Sequence, residues 1–203
     1  MSFEPTRFGF LQVRPMVVPT EDLQISDQEM QSADTLAASE SVLGNGVLED
    51  IQDIVYVIPD RFSLKVTRSI ALELEEYNRL LLEKKRPYLL VVFGRLGTVD
   101  PWLGIPVTWG QIGGASVIIE ATQENVRVEL SQGSHYFHNI INLGVMHFSM
   151  PFTSPYRIDW DWLLAQKTVH ESEYTRHIHL EKPLYVKVDG RRGRGAILQG
   201  KIS

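Results

Sequence analysis

Residues 88–93 read Tyr-Leu-Leu-Val-Val-Phe, an apolar run without a single polar interruption, preceded by Pro87 and followed by Gly94. A strand with one wet face alternates apolar and polar residues. An unbroken apolar run belongs to a strand covered on both faces, as at the centre of a parallel sheet. This run therefore predicts a parallel centre, and the segments around it must supply the neighbours and the covering layers.

The segment before it does so. DIVYVI, residues 53–58, is a β-branched strand stopped by Pro59. From 66 to 82, Val66, Ile70, Leu74, Tyr77 and Leu81 recur at helical spacing and form one apolar stripe. Lys84, Lys85 and Arg86 sit where the dipole at a helix C-terminus favours cations, and Pro87 ends the helix. Strand, helix and strand over 53–93 form a candidate βαβ unit.

Further on, residues 109–113 predict a short helical turn and 116–121 a second buried strand. Residues 126–130 alternate as a half-exposed strand. A short helix is expected over 135–143, a strand over 145–150 and a short helix over 159–164. The last 35 residues alternate over 173–180 and 183–190, carry a hairpin signal at Asp189-Gly190, and close on 195–200. The fold class is thus α/β: a mixed sheet with a parallel centre, flanking helices and an antiparallel C-terminal extension.

At the other end, residues 8–13 predict a strand closed by Arg14-Pro15. Residues 19–40 are polar and acidic and predict a partly helical linker. The expected organisation is a terminal strand in 1–18, a linker in 19–40 and one α/β domain in 41–203.

Composition narrows function. A net charge of −5 disfavours nucleic acid as a partner. The absence of cysteine removes thiolate chemistry and disulfides and suits a cytoplasmic protein. No uncharged apolar stretch approaches the ~20 residues of a membrane span.

Two clusters carry candidate chemistry. The strand at 88–93 ends in Gly94, Arg95, Gly97, Thr98 and Asp100. Glycines at a strand end are expected to open backbone N–H groups toward one point, and Arg95 adds a cation, which makes an anion pocket. The alternative is a structural turn held by an Arg95–Asp100 ion pair. The second cluster is Ser131, Gln132, His135 and His138. The two histidines share a helical face, which suits the lining of a ligand pocket, capping, or two metal ligands with Glu120, His147 or Glu171 as a third. No metal site is assigned. His170, Glu171, Glu173, His177 and His179 read as the wet face of a strand, and Arg191, Arg192 and Arg194 as a solvated hairpin tip.

FGFLQVRPM, residues 8–16, resembles the last strand of the ATP-grasp domain of phosphoenolpyruvate synthases and pyruvate phosphate dikinases. ASESVLGNG, DIVYVIPD, GRLGTVDPWLGIPVTW and SQGSHYFHN, within residues 36–200, resemble the region that follows that domain in bacterial phosphoenolpyruvate-synthase-like proteins. The family's glycine turn is nearer Gly-Pro-Gly-Arg-Trp-Gly; Val92, Phe93 and Leu96 stand in its other places here. The resemblance implies the C-terminal portion of an ATP-dependent phosphotransferase, inactive without its ATP-grasp part, which a separate chain or domain would supply. It implies ATP and Mg²⁺ as cofactors, Gln12 and Arg14 on the nucleotide, and the two clusters on a small anionic substrate such as phosphate, a nucleotide, phosphoenolpyruvate or pyruvate. The alternative is a non-catalytic module that binds a small anion.

Overall fold

The computed structural model describes residues 23–98, 100, 102–124, 130 and 144–200. The predicted strand at 8–13, the strand at 126–130 (Leu130 apart) and the helix at 135–143 lie outside these residues, as do Gln12, Arg14, Ser131, Gln132, His135 and His138.

The described strands are β1 (Thr35–Ser39), β2 (Val42–Leu43), β3 (Gly46–Val57), β4 (Tyr88–Phe93), β5 (Arg95–Leu96), β6 (Gly104–Ile105), β7 (Ala115–Ala121), β8 (Met146–Met150), β9 (Thr168–Glu171), β10 (Thr175–Asp189) and β11 (Arg194–Leu198). The helices are α1 (Asp27–Gln31), α2 (Thr67–Glu83) and α3 (Trp160–Ala165). One mixed sheet runs β1-β11-β10-β3-β4-β7-β8-β2, with β9 paired to β10. Its centre, β3-β4-β7-β8, is parallel, and the flanks are antiparallel. All six residues of β4 are buried, as the unbroken apolar run requires. The chain is an α/β protein of few helices built on this large mixed sheet.

α2 carries the β3-to-β4 crossover and buries Ile70, Ala71, Leu74, Tyr77, Asn78 and Leu81. Asn78, a polar residue on that stripe, joins three segments. Its Nδ2 donates to the Gly110 carbonyl (3.0 Å), and its Oδ1 accepts from Gly114 N–H (2.8 Å) and the Tyr88 hydroxyl (3.1 Å). Burial pushes the Tyr88 phenol well above its usual range, so it stays a donor. Truncating Asn78 would take its partner from the Gly114 N–H and the Gly110 carbonyl, at about 1–3 kcal/mol for a group so left, while the Tyr88 hydroxyl keeps the Ile112 carbonyl at 3.4 Å. Asn78→Ala is therefore expected to lower stability by about 3 kcal/mol in chemical denaturation, whereas Arg79→Ala on the exposed face leaves it unchanged.

The end of α2 forms a Schellman motif. Arg86 N–H reaches the Leu81 carbonyl and Lys85 N–H the Leu82 carbonyl, with Lys85 at φ 53°. That turn delivers Arg86 to the start of β4.

Two expectations are corrected. The linker expected over 19–40 contains α1 and β1. Leu36, Ala37 and Ala38 are buried, and β1 pairs with β11 at the sheet edge. The C-terminal strands at 173–180 and 183–190 are one strand, β10, with register shifts between His179 and Val186.

Candidate functional site

The parallel strands have two ends, and each gathers polar residues. At the starting end, Asp53 is 1% exposed. Arg86 donates to both its oxygens, Nε to Oδ2 at 2.6 Å and Nη2 to Oδ1 at 2.7 Å. His177 Nε2 lies 2.7 Å and His179 Nδ1 3.3 Å from Oδ1, and Arg86 also contacts His179. Burial raises the Asp53 carboxyl, but the His177 hydrogen bond and the Arg86 charge outweigh it and hold it below the ordinary value of 3.8. His177, expected on the wet face, is buried because Asp53 on the adjoining strand needs its proton. Both oxygens of Asp53 accept from these donors, so this cluster ties β4's entry, β3 and β10 together rather than presenting a binding group.

At the finishing end, β4 runs into the glycine turn. Gly94 and Gly97 lie at φ 76° and 70°, in the left-handed region that glycine tolerates. Gly94 N–H donates to the Ala121 carbonyl (2.9 Å), Arg95 N–H to Leu103 (3.3 Å) and Gly97 N–H to Ile105 (3.1 Å). Leu96 N–H donates to Glu120 Oε1 (3.0 Å). The backbone donors expected to open toward an anion are therefore committed within the protein, and that part of the expectation is corrected. Glu120 is wholly buried with His147, whose Nε2 stands 3.6 Å from Glu120 Oε2. The run SVIIEA gives no hint of this role; the signal is only that one acidic residue ends an otherwise apolar strand.

The expected Arg95–Asp100 pair is not present among the described residues. Asp100 Oδ1 accepts Trp102 N–H (3.0 Å), and Thr98 Oγ1 bonds to Asp100 at both its amide and its carbonyl (3.1 Å each). These residues hold the loop. Arg95 is left half-buried, and its Nε is shielded from solvent with no hydrogen-bond acceptor among the described residues. A buried donor without an acceptor costs about 1–3 kcal/mol. Arg95 is thus the one member of the glycine cluster with binding capacity to spare among the described residues.

Beside the turn, past the ends of β4, β7 and β8, lies a cleft of about 120 Å³. A wider, open hollow of about 530 Å³ lies against residues 47–50 and Tyr185, but Glu49 and Asp50 line it and repel an anion. The described residues contain no group of three His, Asp or Glu side chains placed to hold a metal ion. Of the proposed third ligands, Glu171 pairs with Arg61 (2.8 Å) and Arg176 (2.7 Å), far from Glu120 in the sheet order. No helix among the described residues is long and apolar enough to cross a membrane. No family model, curated protein or solved structure matches this chain.

Proposed function

We propose that this chain is the portion of a phosphoenolpyruvate-synthase-like phosphotransferase that follows the ATP-grasp domain, located in the cytoplasm, and that it holds a small anion at Arg95. The observation that carries the reading is Arg95 at the finishing end of the parallel strands, whose shielded Nε has no acceptor among the described residues. A guanidinium meets carboxylate or phosphate oxygens in pairs, so the missing acceptor is of that class. Ligands of open α/β sheets gather at this end of the strands. The resemblance supports the phosphotransferase class, and Gln12 and Arg14 carry the expectation of ATP and Mg²⁺. The clusters at Gly94, Gly97, Thr98 and Asp100 shape the loop that presents Arg95, and Ser131, Gln132, His135 and His138 complete the proposed substrate contacts.

The second reading, a non-catalytic anion-binding module, is favoured by the committed N–H groups of residues 94–97. A turn whose amides are all bonded offers one cation rather than a cradle for phosphoryl transfer.

Thermal-shift titrations with phosphate, phosphoenolpyruvate, pyruvate and ATP, each with and without Mg²⁺, test the site. A bound anion at a hundred times its Kd stabilises by about 2.7 kcal/mol, or roughly 5–10 °C in Tm for a chain of this size. Arg95→Gln is expected to abolish that shift. No shift from any anion at millimolar concentration would overturn the anion site. Conversion of a nucleotide by the chain mixed with an ATP-grasp partner separates the two readings.

A further inference from the structure

We propose that Glu120 is the positioning residue of Arg95, so that anion affinity at the glycine turn depends on a side chain wholly buried in β7. This rests on the reading of Arg95 as the anion contact and names what holds that contact in place.

The first argument is the cost of the residue. Glu120 is 0% exposed and follows Val117, Ile118 and Ile119, which are as deeply buried. A carboxylate taken out of water is costly unless its oxygens receive donors. An apolar side chain here would avoid that cost, so the carboxylate answers a need of its surroundings. Leu96 is that need. Its backbone is buried with it, and its N–H donates to Glu120 Oε1 at 3.0 Å. On the other side, His147 Nε2 of β8 stands 3.6 Å from Oε2.

The second argument is the pattern of tethers. The amides of residues 94–97 are all bonded within the protein. Those of Gly94, Arg95 and Gly97 end on the backbone carbonyls of Ala121, Leu103 and Ile105. Leu96 N–H ends on a side chain. The two residues flanking Arg95 are thus fastened to consecutive residues of one strand, Gly94 to Ala121 and Leu96 to Glu120. That strand, β7, lies between β4 and β8 inside the sheet, which makes it a firm support.

The third argument is what the tether restrains. Arg95 and Leu96 lie between Gly94 at φ 76° and Gly97 at φ 70°. Glycine hinges on both sides give this pair more freedom than an ordinary segment has. An arginine meets an oxyanion through a planar fork, so its backbone must be held where the fork fits. Without the Leu96 tether, that ordering falls on the binding step and weakens it.

The test is calorimetric titration of the full chain with inorganic phosphate. The variants are Glu120→Leu, Glu120→Gln, Arg95→Gln and the Arg95→Gln/Glu120→Leu double variant, each measured well below its unfolding temperature. Leucine fills the site and removes the acceptor, whereas glutamine keeps an acceptor oxygen. Glu120→Leu is expected to weaken phosphate about tenfold, and Glu120→Gln to restore it. The double variant is expected to bind no more weakly than Arg95→Gln, because both changes act through one contact. Three results overturn the positioning role while the anion site stands: undiminished affinity in Glu120→Leu, an equal loss in Glu120→Gln, or a further loss in the double variant. Untouched affinity in Arg95→Gln overturns the anion reading and the positioning role with it. Should Glu120→Leu fail to fold, hydrogen exchange at the wild-type Leu96 amide decides. Saturating phosphate is expected to slow it about tenfold, since coupling between binding and the tether is reciprocal. An unchanged rate overturns the positioning role.

Discussion

Asp53→Asn is expected to destabilise the protein by about 3 kcal/mol or more at pH 7, because it leaves the Arg86 charge without its bidentate acceptor in a largely dry setting. Asp53 is buried, Arg86 is about one-third exposed, and His177 is nearly buried. The amide keeps one acceptor but brings a donor against the Arg86 guanidinium. The comparison is Glu83→Gln, which breaks the exposed Arg79–Glu83 pair and is expected to change nothing measurable. The pH dependence gives a second readout. The Asp53 carboxyl lies below 3.8 in the folded state. A depressed carboxyl contributes its stability in full above the unfolded value and loses it as pH falls through the folded value. Wild-type stability is therefore expected to decline below about pH 4, and Asp53→Asn to flatten that limb. Urea denaturation at pH steps from 6 to 2 measures both effects. An unchanged acid limb in the variant would remove Asp53 from the account.

Gly104→Ala is the other large effect expected, about 3 kcal/mol from overpacking together with backbone strain. β5 and β6 pair side by side, with Arg95 opposite Gly104. A Cβ on Gly104 would stand 2.0 Å from the Arg95 carbonyl oxygen and 2.5 Å from its nitrogen, and the residue's φ of 156° is one that side chains rarely adopt. The obstacle is backbone, so no rotamer relieves it. The two short strands must separate, which displaces Arg95 from the finishing end of β4. The variant is expected to lose both stability and the anion-induced thermal shift. Gly200→Ala, which meets nothing within 4 Å, is the control and is expected to keep both. A stable Gly104→Ala protein that still responds to phosphate would show that the β5–β6 pairing does not position Arg95.

The helix of the βαβ unit and its parallel strands could be read from sequence because burial on both faces and a stripe at helical spacing are properties of a segment by itself. β4 is buried from end to end, and α2 follows the Ile70–Leu74–Tyr77–Leu81 stripe, with Thr67 and Asn78 as buried polar residues that the stripe does not announce. β1 was hidden because its apolar content, Leu36-Ala37-Ala38, is short and small among serines. It becomes a strand only because β11 lies beside it. The same logic hid the Asp53 cluster: each residue looks like a surface polar group until the β3–β10 register brings Asp53 opposite His179 and near His177. In the glycine turn, the residue types announced a bend and a cation, both present. What the spacing could not tell was where the amides go. That depends on Ala121, Leu103, Ile105 and Glu120, which come from other parts of the chain.

The position of β1 bears on how the molecule is assembled in time. Thr35 lies opposite Leu198, and Ser39 opposite Gly195. One border of the sheet thus joins segments from distant parts of the chain, and this pairing closes a very long loop. During synthesis, β3, α2 and β4 have each other as partners as soon as they emerge, while β1 must wait for β11 and the other edge of β3 for β10. The face of Leu36 and Ala37 is therefore sealed no earlier than β11 is made, and until then the nascent chain carries an open strand edge, the kind of surface on which chains associate wrongly.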